Sequence, residues 1–296
     1  MEKTNKNPLV SIIMPVYNAG NFLMEAVESL QGQTYKNWEL ITIDDCSSDN
    51  SLEILKLFAK KDKRIRVFQN KKRKGPSATA NYALSKVKGN YIARMDADDV
   101  CLFNRLEKQL RFLQKHQEVV AVGGQCDLID KDGNKIGEKR FPTDSDRVEK
   151  MIFSSIPLQQ PTLMVNCKLL PNKFTWYNSR SDVAEEVELL FKLFKYGKVR
   201  NLADIVLQYR LHGENTSLKE PKKTFFLTLK TRFMAIYKYS YRPTFMGLIT
   251  SLVQLVVVGL LPKNLIYPVY VFARGIKDTR IYSHIVPKLA NARLGS

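Results

Sequence analysis

Between Val10 and Met95 short apolar runs alternate with stretches of helical spacing, and few folds accommodate that alternation. Val10 to Met14 is an apolar run ended by Pro15. Phe22, Leu23, Ala26, Val27 and Leu30 then recur at helical spacing, which predicts a helix from about Asn21 to Gln31. Trp38 to Ile43 is a second strand ended by Asp44-Asp45, Ser51 to Lys60 a second helix, and Ile65 to Phe68 a third strand. Gly75-Pro76 opens a helix through Leu84, and Tyr91 to Met95 is the fourth strand. Wholly apolar strands alternating with amphipathic helices imply an α/β fold with a mostly parallel central sheet covered on both faces. Ligands of such sheets bind beyond the carboxyl ends of the strands. Asn18, Asp45 and Asp96 to Asp99 all fall there, from three different strands.

Asp96-Ala97-Asp98-Asp99 carries three carboxylates in four residues at the end of that fourth strand. So dense a negative site costs free energy unless a cation neutralises it. Hard oxygen ligands select Mg²⁺ or Mn²⁺, which bind one or two protein carboxylates and complete their shell with substrate phosphates. A metal-assisted site for a diphosphate-bearing substrate is one reading. The plainer one is a turn, or a cap at Asp98 or Asp99 for the helix expected from Asn104 to Lys115.

Farther along, Val119 to Val122 reads as a strand ended by Gly123-Gly124, and Lys131-Asp132-Gly133-Asn134 as the turn of a hairpin. Glu186 to Tyr196 has helical spacing, and Ile205 to Tyr209 is a further strand. The chain has no internal repeat. With 296 residues, 44% of them hydrophobic, it can bury a sizeable core, and disorder is not the default.

Charge is the unusual bulk property. The net charge is +18, and residues 219–296 hold 13 Lys and Arg against 2 acidic residues. A basic tail rich in aromatics points to an anionic surface, either membrane phospholipid or nucleic acid. The sequence has no helix-turn-helix signal, zinc spacing or aromatic RNA-binding motif, so a basic nucleic-acid-binding protein is the weaker rival. Lys222 to Tyr241 interleaves aromatics with Lys230, Arg232 and Lys238, as an amphipathic helix with a basic face would. Thr244 to Leu261 is 18 residues without a charge, at the threshold for a span and bracketed by Arg242 and Lys263. Asn264 to Ala273 is a shorter apolar stretch interrupted by Pro268. Basic flanks at both ends favour an interfacial or re-entrant helical unit on the cytoplasmic leaflet over a single crossing. A soluble helical subdomain is the alternative. Cys46, Cys101, Cys126 and Cys167 are far apart and read as free thiols in a reducing compartment. Met1 to Pro8 lacks the apolar core of a secretory signal, so the chain is expected to begin in the cytosol.

An ordered series of motifs adds to this reading. Val10-Ser11-Ile12-Ile13-Met14-Pro15-Val16-Tyr17-Asn18 is followed by Ser29-Leu30, Gln33-Thr34 and Trp38-Glu39-Leu40. Asp44-Asp45-Cys46-Ser47-Ser48-Asp49 and Gly89-Asn90-Tyr91-Ile92 come next, then the acidic quartet and Arg105-Leu106-Glu107-Lys108-Gln109. Ala184-Glu185-Glu186 and Tyr209-Arg210-Leu211-His212 close the series. Over roughly residues 8–218 the chain resembles family 2 inverting glycosyltransferases, which have a Rossmann-like, nucleotide-diphospho-sugar transferase fold of the glycosyltransferase A type.

That resemblance implies a catalytic domain over 1–218, while charge and apolar content set residues 219–296 apart as a basic, apolar helical region expected to associate with the membrane. It implies that Asp98 ligates Mn²⁺ or Mg²⁺, with His212 joining the metal or the diphosphate. Pro15, Val16, Tyr17, Asn18, Asp45, Asp96 and Ala97 would bind the nucleotide sugar, with Tyr17 able to stack and Asp99 in support. A carboxylate at Asp45 accepts hydrogen bonds only, which favours the N3–H of uracil or thymine over cytosine, though guanine also offers an N–H. Glu186 would be the general base, with Glu185 second; the plain alternative is acids decorating a helix start. Lys71, Lys72, Arg73 and Lys74 either attract phosphates or form a solvated loop. Three positions depart from the family pattern: Phe103 and Gln160 stand where Pro and His are usual, and Glu186 where Asp is. The implied activity is transfer of a sugar from a UDP-sugar to a hydroxyl of a glycan or lipid-linked oligosaccharide, in cell-surface polysaccharide or glycolipid synthesis. A polyprenyl-phosphate acceptor is the alternative.

Overall fold

The computed structural model describes residues 7–179, 184–212 and 220–262. Its sheet grows outward from the first apolar run. Strand β1 (Val10–Val16) pairs in parallel with β2 (Trp38–Asp44) on one side and β4 (Tyr91–Arg94) on the other, and β3 (Ile65–Gln69) extends β2. Beyond β4 the sheet turns mixed. The three-residue β8 (Met164–Asn166) runs antiparallel between β4 and β6 (Val119–Ile129). The 13-residue β9 (Lys198–Arg210) runs parallel to β6, and β5 (Val100–Cys101) closes that edge antiparallel to β9. The hairpin partner of β6 is β7 (Lys135–Lys139), joined through Gly133 at φ 86°, a conformation glycine reaches freely.

Alternation along β1 explains the two cores. Val10, Ile12 and Met14 pack with Leu23 and Leu30 of α1 (Gly20–Gln31), Leu55 of α2 (Ser51–Lys61) and Leu110 of α4 (Arg105–Lys115). Ile13 faces the other layer, with Ala83 of α3 (Pro76–Leu84), Val148 of α5 (Ser145–Met151) and Leu190 of α6 (Glu185–Leu193). Both faces of the parallel half are therefore covered, as its apolar strands require.

Four elements differ from the sequence reading. Strand β6 runs through Gly123-Gly124 instead of ending there. A Cβ on Gly123 would lie 2.4 Å from Asn201 Oδ1, and one on Gly124 2.6 Å from Val206 Cγ2, so these glycines admit the close approach of β9. Strands β5 and β8 are two and three residues long, too short to show any period. Helix α6 starts at Glu185 and ends at Leu193, three residues before Tyr196.

The C-terminal helices α7 (Pro221–Lys238) and α8 (Phe245–Leu260) pack on this frame. Ala235 of α7 and Tyr241 belong to the second core. Lys238 Nζ and Tyr239 Oη donate to Glu188 Oε1 at 2.8 and 2.6 Å, tying α7 to α6. Glu188 is thus held by partners and does more than decorate a helix start. No helix among the described residues is long and apolar enough to cross a membrane. The expected stretch Asn264 to Ala273 lies outside the described residues. All four cysteines are free thiols, Cys101 and Cys126 buried.

Candidate active site

The acidic quartet leaves β4 at the carboxyl edge of the sheet, and two buried arginines shape it. Arg94, the last residue of β4, is 7% exposed and pairs through Nη2 with Asp96 Oδ1 at 2.8 Å. Arg210, the last residue of β9, is 1% exposed. Its main-chain N–H donates to Asp99 Oδ1 at 2.9 Å, and its Nε donates to the Asp98 carbonyl at 2.8 Å. Nη1 donates to the carbonyls of Asp130 and Lys131, and Nη2 pairs with Glu25 of α1. One guanidinium therefore joins the quartet to the β6–β7 hairpin and to the first helix.

Two residues past Arg210, His212 brings Nε2 to 2.8 Å from Asp98 Oδ2, its ring against Phe22. The two side chains expected to hold metal are thus adjacent, although 114 residues separate them. Among the described residues no group of three or more His, Cys, Asp or Glu side chains forms a metal cluster. An arrangement of one carboxylate and one imidazole leaves the other coordination positions to ligand oxygens and water. The surrounding electrostatics fit a cation. Asp99 is fully buried, and its Oδ2 has no hydrogen-bond partner among the described residues. Burial, then the charges of Asp98 and Asp96, push the Asp99 carboxyl well above the usual range. Burial and the Asp98 charge, opposed by Arg94, raise Asp96 as well. A divalent ion at Asp98 and His212 would relieve both.

At the neighbouring strand ends, the tip of β1 presents Tyr17 and Asn18. Tyr17 is 41% exposed with the Arg73 guanidinium 3.9 Å above its ring, so it is no core aromatic. Asn18 adopts φ 49°, and its Oδ1 accepts from the Ser48 N–H at 2.9 Å. Pro15 is half-buried. Val16 and Ala97, expected among the donor-binding side chains, are 1% and 7% exposed and belong to the first core. Strand alternation turns the Val16 side chain inward, and its carbonyl accepts from the Asp45 N–H at 2.7 Å. Asp45 is engaged within the protein: Oδ1 accepts from Asn70 Nδ2 at 2.7 Å and the Lys74 N–H at 2.9 Å, and Oδ2 from the Gly75 N–H at 2.8 Å. It fixes the basic loop, so that loop is anchored at its root rather than merely solvated.

Glu185 and Glu186 open α6 behind Ala184, which takes a left-handed φ of 62°. Burial, then the Glu186 charge, push Glu185 to about 8, and Arg94 and Asp96 act on it too. Burial raises Glu186, with Asp96 adding to it and Arg94 and Arg232 of α7 opposing. Both glutamates thus sit within the field of the Arg94–Asp96 pair. Gln160, at the usual His position, donates to Tyr177 Oη at 3.4 Å, and Phe103 is 62% exposed.

The Glu185 carboxyl keeps its proton to about pH 8 in the folded protein, against 4.5 ordinarily. Between those values the folded state holds a proton that the unfolded chain has released, so stability falls as pH rises through the window. The Tm of metal-free protein in EDTA should drop between about pH 5 and pH 8, and Glu185→Gln should flatten that slope. An unchanged slope in the variant would show that Glu185 ionises normally.

A sequence profile described as Glycosyl transferase family 2 matches residues 11–176, more than half of the chain. The chain belongs to glycosyl transferase family 2. This glycosyltransferase is 34% identical over 225 residues to the Bacillus subtilis (strain 168) glycosyltransferase EpsE, covering 75% of this chain and 79% of EpsE. It is 32% identical over 232 residues to TuaG of the same organism, named for teichuronic acid biosynthesis, covering 76% and 88%. Among solved structures, S. aureus TarS 1-349 matches with a TM-score of 0.61 at 20% identity, over 77% of this chain and 65% of that one. The Pyrobaculum calidifontis mannosyltransferase PcManGT matches at 0.57 and 16% identity, over 98% and 87%. These likenesses show the nucleotide-sugar transferase fold that the motif resemblance implied.

Two residues of the glycosyltransferase site carry no signal in sequence reasoning. Arg94 is hidden inside an apolar run, and Arg210 follows another expected strand, where a lone arginine looks like any surface charge. Gln33, Arg105 and Gln109 from the same motifs prove architectural. Arg105 Nη2 donates to the Arg94 carbonyl at 2.8 Å, and Gln109 Nε2 to the Thr162 carbonyl at 2.7 Å. Gln33 Nε2 donates to the Leu102 carbonyl at 2.8 Å. Together they brace the segments that flank the acidic loop.

Proposed function

We propose that this glycosyltransferase moves a sugar, with inversion, from a UDP-sugar to a hydroxyl of a glycan or lipid-linked acceptor, using Mn²⁺ or Mg²⁺ held by Asp98 and His212. The observation that carries the proposal is the meeting of Asp98, His212, Asp96 and the α6 glutamates at one sheet edge. A bound cation supplies Lewis acidity and takes up charge on the departing diphosphate. Asp96, held by Arg94, orients the sugar or ribose. Tyr17, with Arg73 on its face, stacks against the base beside Pro15 and Asn18, and Asp45 sets the loop that carries Arg73. Glu186 takes the proton of the acceptor hydroxyl, and Glu185 modulates it. Burial raises the Glu186 carboxyl, the direction that strengthens a carboxylate as a base.

Solved relatives support a nucleotide-sugar donor and a divalent metal. TarS has been crystallised with UDP and with UDP-GlcNAc, and PcManGT with GDP-Man and Mn²⁺. TuaG's name suggests a surface polysaccharide as product. We place the enzyme at the cytoplasmic face of the membrane as a peripheral protein, where a lipid-carried acceptor would be met.

The deciding experiment is a donor panel with Mn²⁺, scored by nucleoside-diphosphate release. A UDP-sugar should turn over and EDTA should stop it. Glu186→Gln should lower transfer by about 10²–10⁴-fold, and near-normal turnover would remove Glu186 as base. Inversion is read from the anomeric configuration of the product. Acceptor assays with a hydroxyl glycan and with a polyprenyl phosphate separate the two acceptor classes.

A further inference from the structure

Helix α8 is amphipathic the wrong way round for a soluble protein. Two of its three polar side chains face the body of the enzyme, and the third, Thr250, donates back to the Met246 carbonyl of the same helix. Ser251 is fully buried and donates through Oγ to the Phe153 carbonyl at 2.7 Å, and Gln254 Nε2 donates to the Ser154 carbonyl at 3.0 Å. The N-terminal cap is also polar, since Thr244 Oγ1 accepts from the Gly247 N–H at 3.0 Å. The opposite face is apolar and open. Leu252, Val253, Val256 and Leu260 are 54%, 55%, 59% and 81% exposed, and with Phe245 and Ile249 they recur at helical spacing. None of the 16 residues of α8 carries a charge. A contiguous apolar face of this size marks a docking site, since water leaves it unsatisfied.

We infer that the outward face of α8 seats in the headgroup region of the cytoplasmic leaflet of an anionic lipid bilayer, with the helix lying in the membrane plane. Two observations choose this occupant over a second copy of the chain, and a third sets the orientation of the helix. First, the protein carries a net +18, so two copies repel while an anionic surface attracts. Second, the exposed stripe of α7 is Lys223, Phe226, Lys230, Met234 and Tyr237, alternating basic heads with apolar bodies as interfacial helices do. Lys222 Nζ of α7 donates to the Gly259 carbonyl near the far end of α8, so the two helices run antiparallel and dock as a hairpin. Third, 16 residues at 1.5 Å each give about 24 Å, short of a hydrocarbon core of about 30 Å. The helix thus lies on the leaflet instead of crossing it.

The seat is mechanically joined to catalysis. The loop after α7 holds Glu188 through Tyr239 Oη, two residues from the candidate base Glu186. Docking thereby fixes the enzyme with α6 anchored to the lipid-facing hairpin.

The test uses the full chain and sedimentation with vesicles of phosphatidylcholine, alone or with one-third phosphatidylglycerol. Wild-type protein should sediment with the anionic vesicles and partition far less onto the neutral ones. The Val253→Glu/Val256→Glu double variant should lose roughly tenfold or more of that partition. Its circular dichroism and its donor hydrolysis without lipid should match wild type, because both side chains point away from the body. Equal partition of variant and wild type would overturn the inference. So would a lipid-free dimer, seen by sedimentation equilibrium, that the double substitution splits. Donor hydrolysis without vesicles reports on the transfer reading alone, so failure of either proposal is seen separately.

Discussion

Asp98→Ala lowers metal-dependent release of the nucleoside diphosphate by about 10²–10³-fold, the usual scale for removing a group that stabilises developing charge. The protein stays folded. Asp98 lends its main-chain carbonyl, not its carboxylate, to Arg210, and that bond survives the substitution. The substitution loses the partly exposed contact with His212 Nε2, but the Asp98 charge also raises the carboxyls of Asp96 and Asp99, and removing it relieves that repulsion in the metal-free protein. The Tm in EDTA should therefore hold or rise, while the Tm gain that Mn²⁺ gives wild type should vanish. Stability and activity move in opposite directions, which distinguishes a ligand from a structural acid. Retained turnover with a retained Mn²⁺ shift would discard the metal site.

Arg210→Leu is the opposite case, a loss of both fold and function. The guanidinium serves Glu25 and the carbonyls of Asp98, Asp130 and Lys131 from a buried position. Removing the buried guanidinium costs about 1–3 kcal/mol, because all of these bonds are lost at once, although Glu25, with its side chain 55% exposed, can turn to water. Thermal unfolding should show that loss, and donor turnover should fall with it as the quartet loop loses its shape. Arg210→Lys recovers only part, since an ammonium presents a point charge and not a planar fork. A useful contrast is Lys108–Asp204, whose side chains are 38% and 45% exposed. Breaking that pair should change stability by about 1 kcal/mol or less. Equal losses at the two sites would mean that burial is not what gives Arg210 its importance.

Much of the donor-side frame could be read from residue order. The apolar runs of β1, β2 and β4 and the helical spacing of α1 and α2 are local signals, and each element lies within a few residues of its expected bounds. Asp98 and His212 were legible as candidates because their motifs are compact. Their pairing was not, nor was the inward turn of Val16 and Ala97. Asp45 shows the same limit: a free carboxylate at a strand end looks ready for ligand, yet its oxygens hold the Asn70–Gly75 loop. The C-terminal helices give a reversed lesson. Lack of charge from Thr244 to Leu261 marked the segment as apolar, but only the seating of Ser251 and Gln254 shows which side is outward.

On its own the sequence determined the alternating α/β frame and the acidic loop at its carboxyl edge. Strand burial, helix spacing and charge density are properties of neighbouring residues. The tertiary structure alone decided how the loop is held and what it faces. Arg210 reaches Asp99 across 111 positions of chain, and β8 exists only because β4 and β6 flank it. Such contacts depend on the path of the folded backbone, and no local period records them.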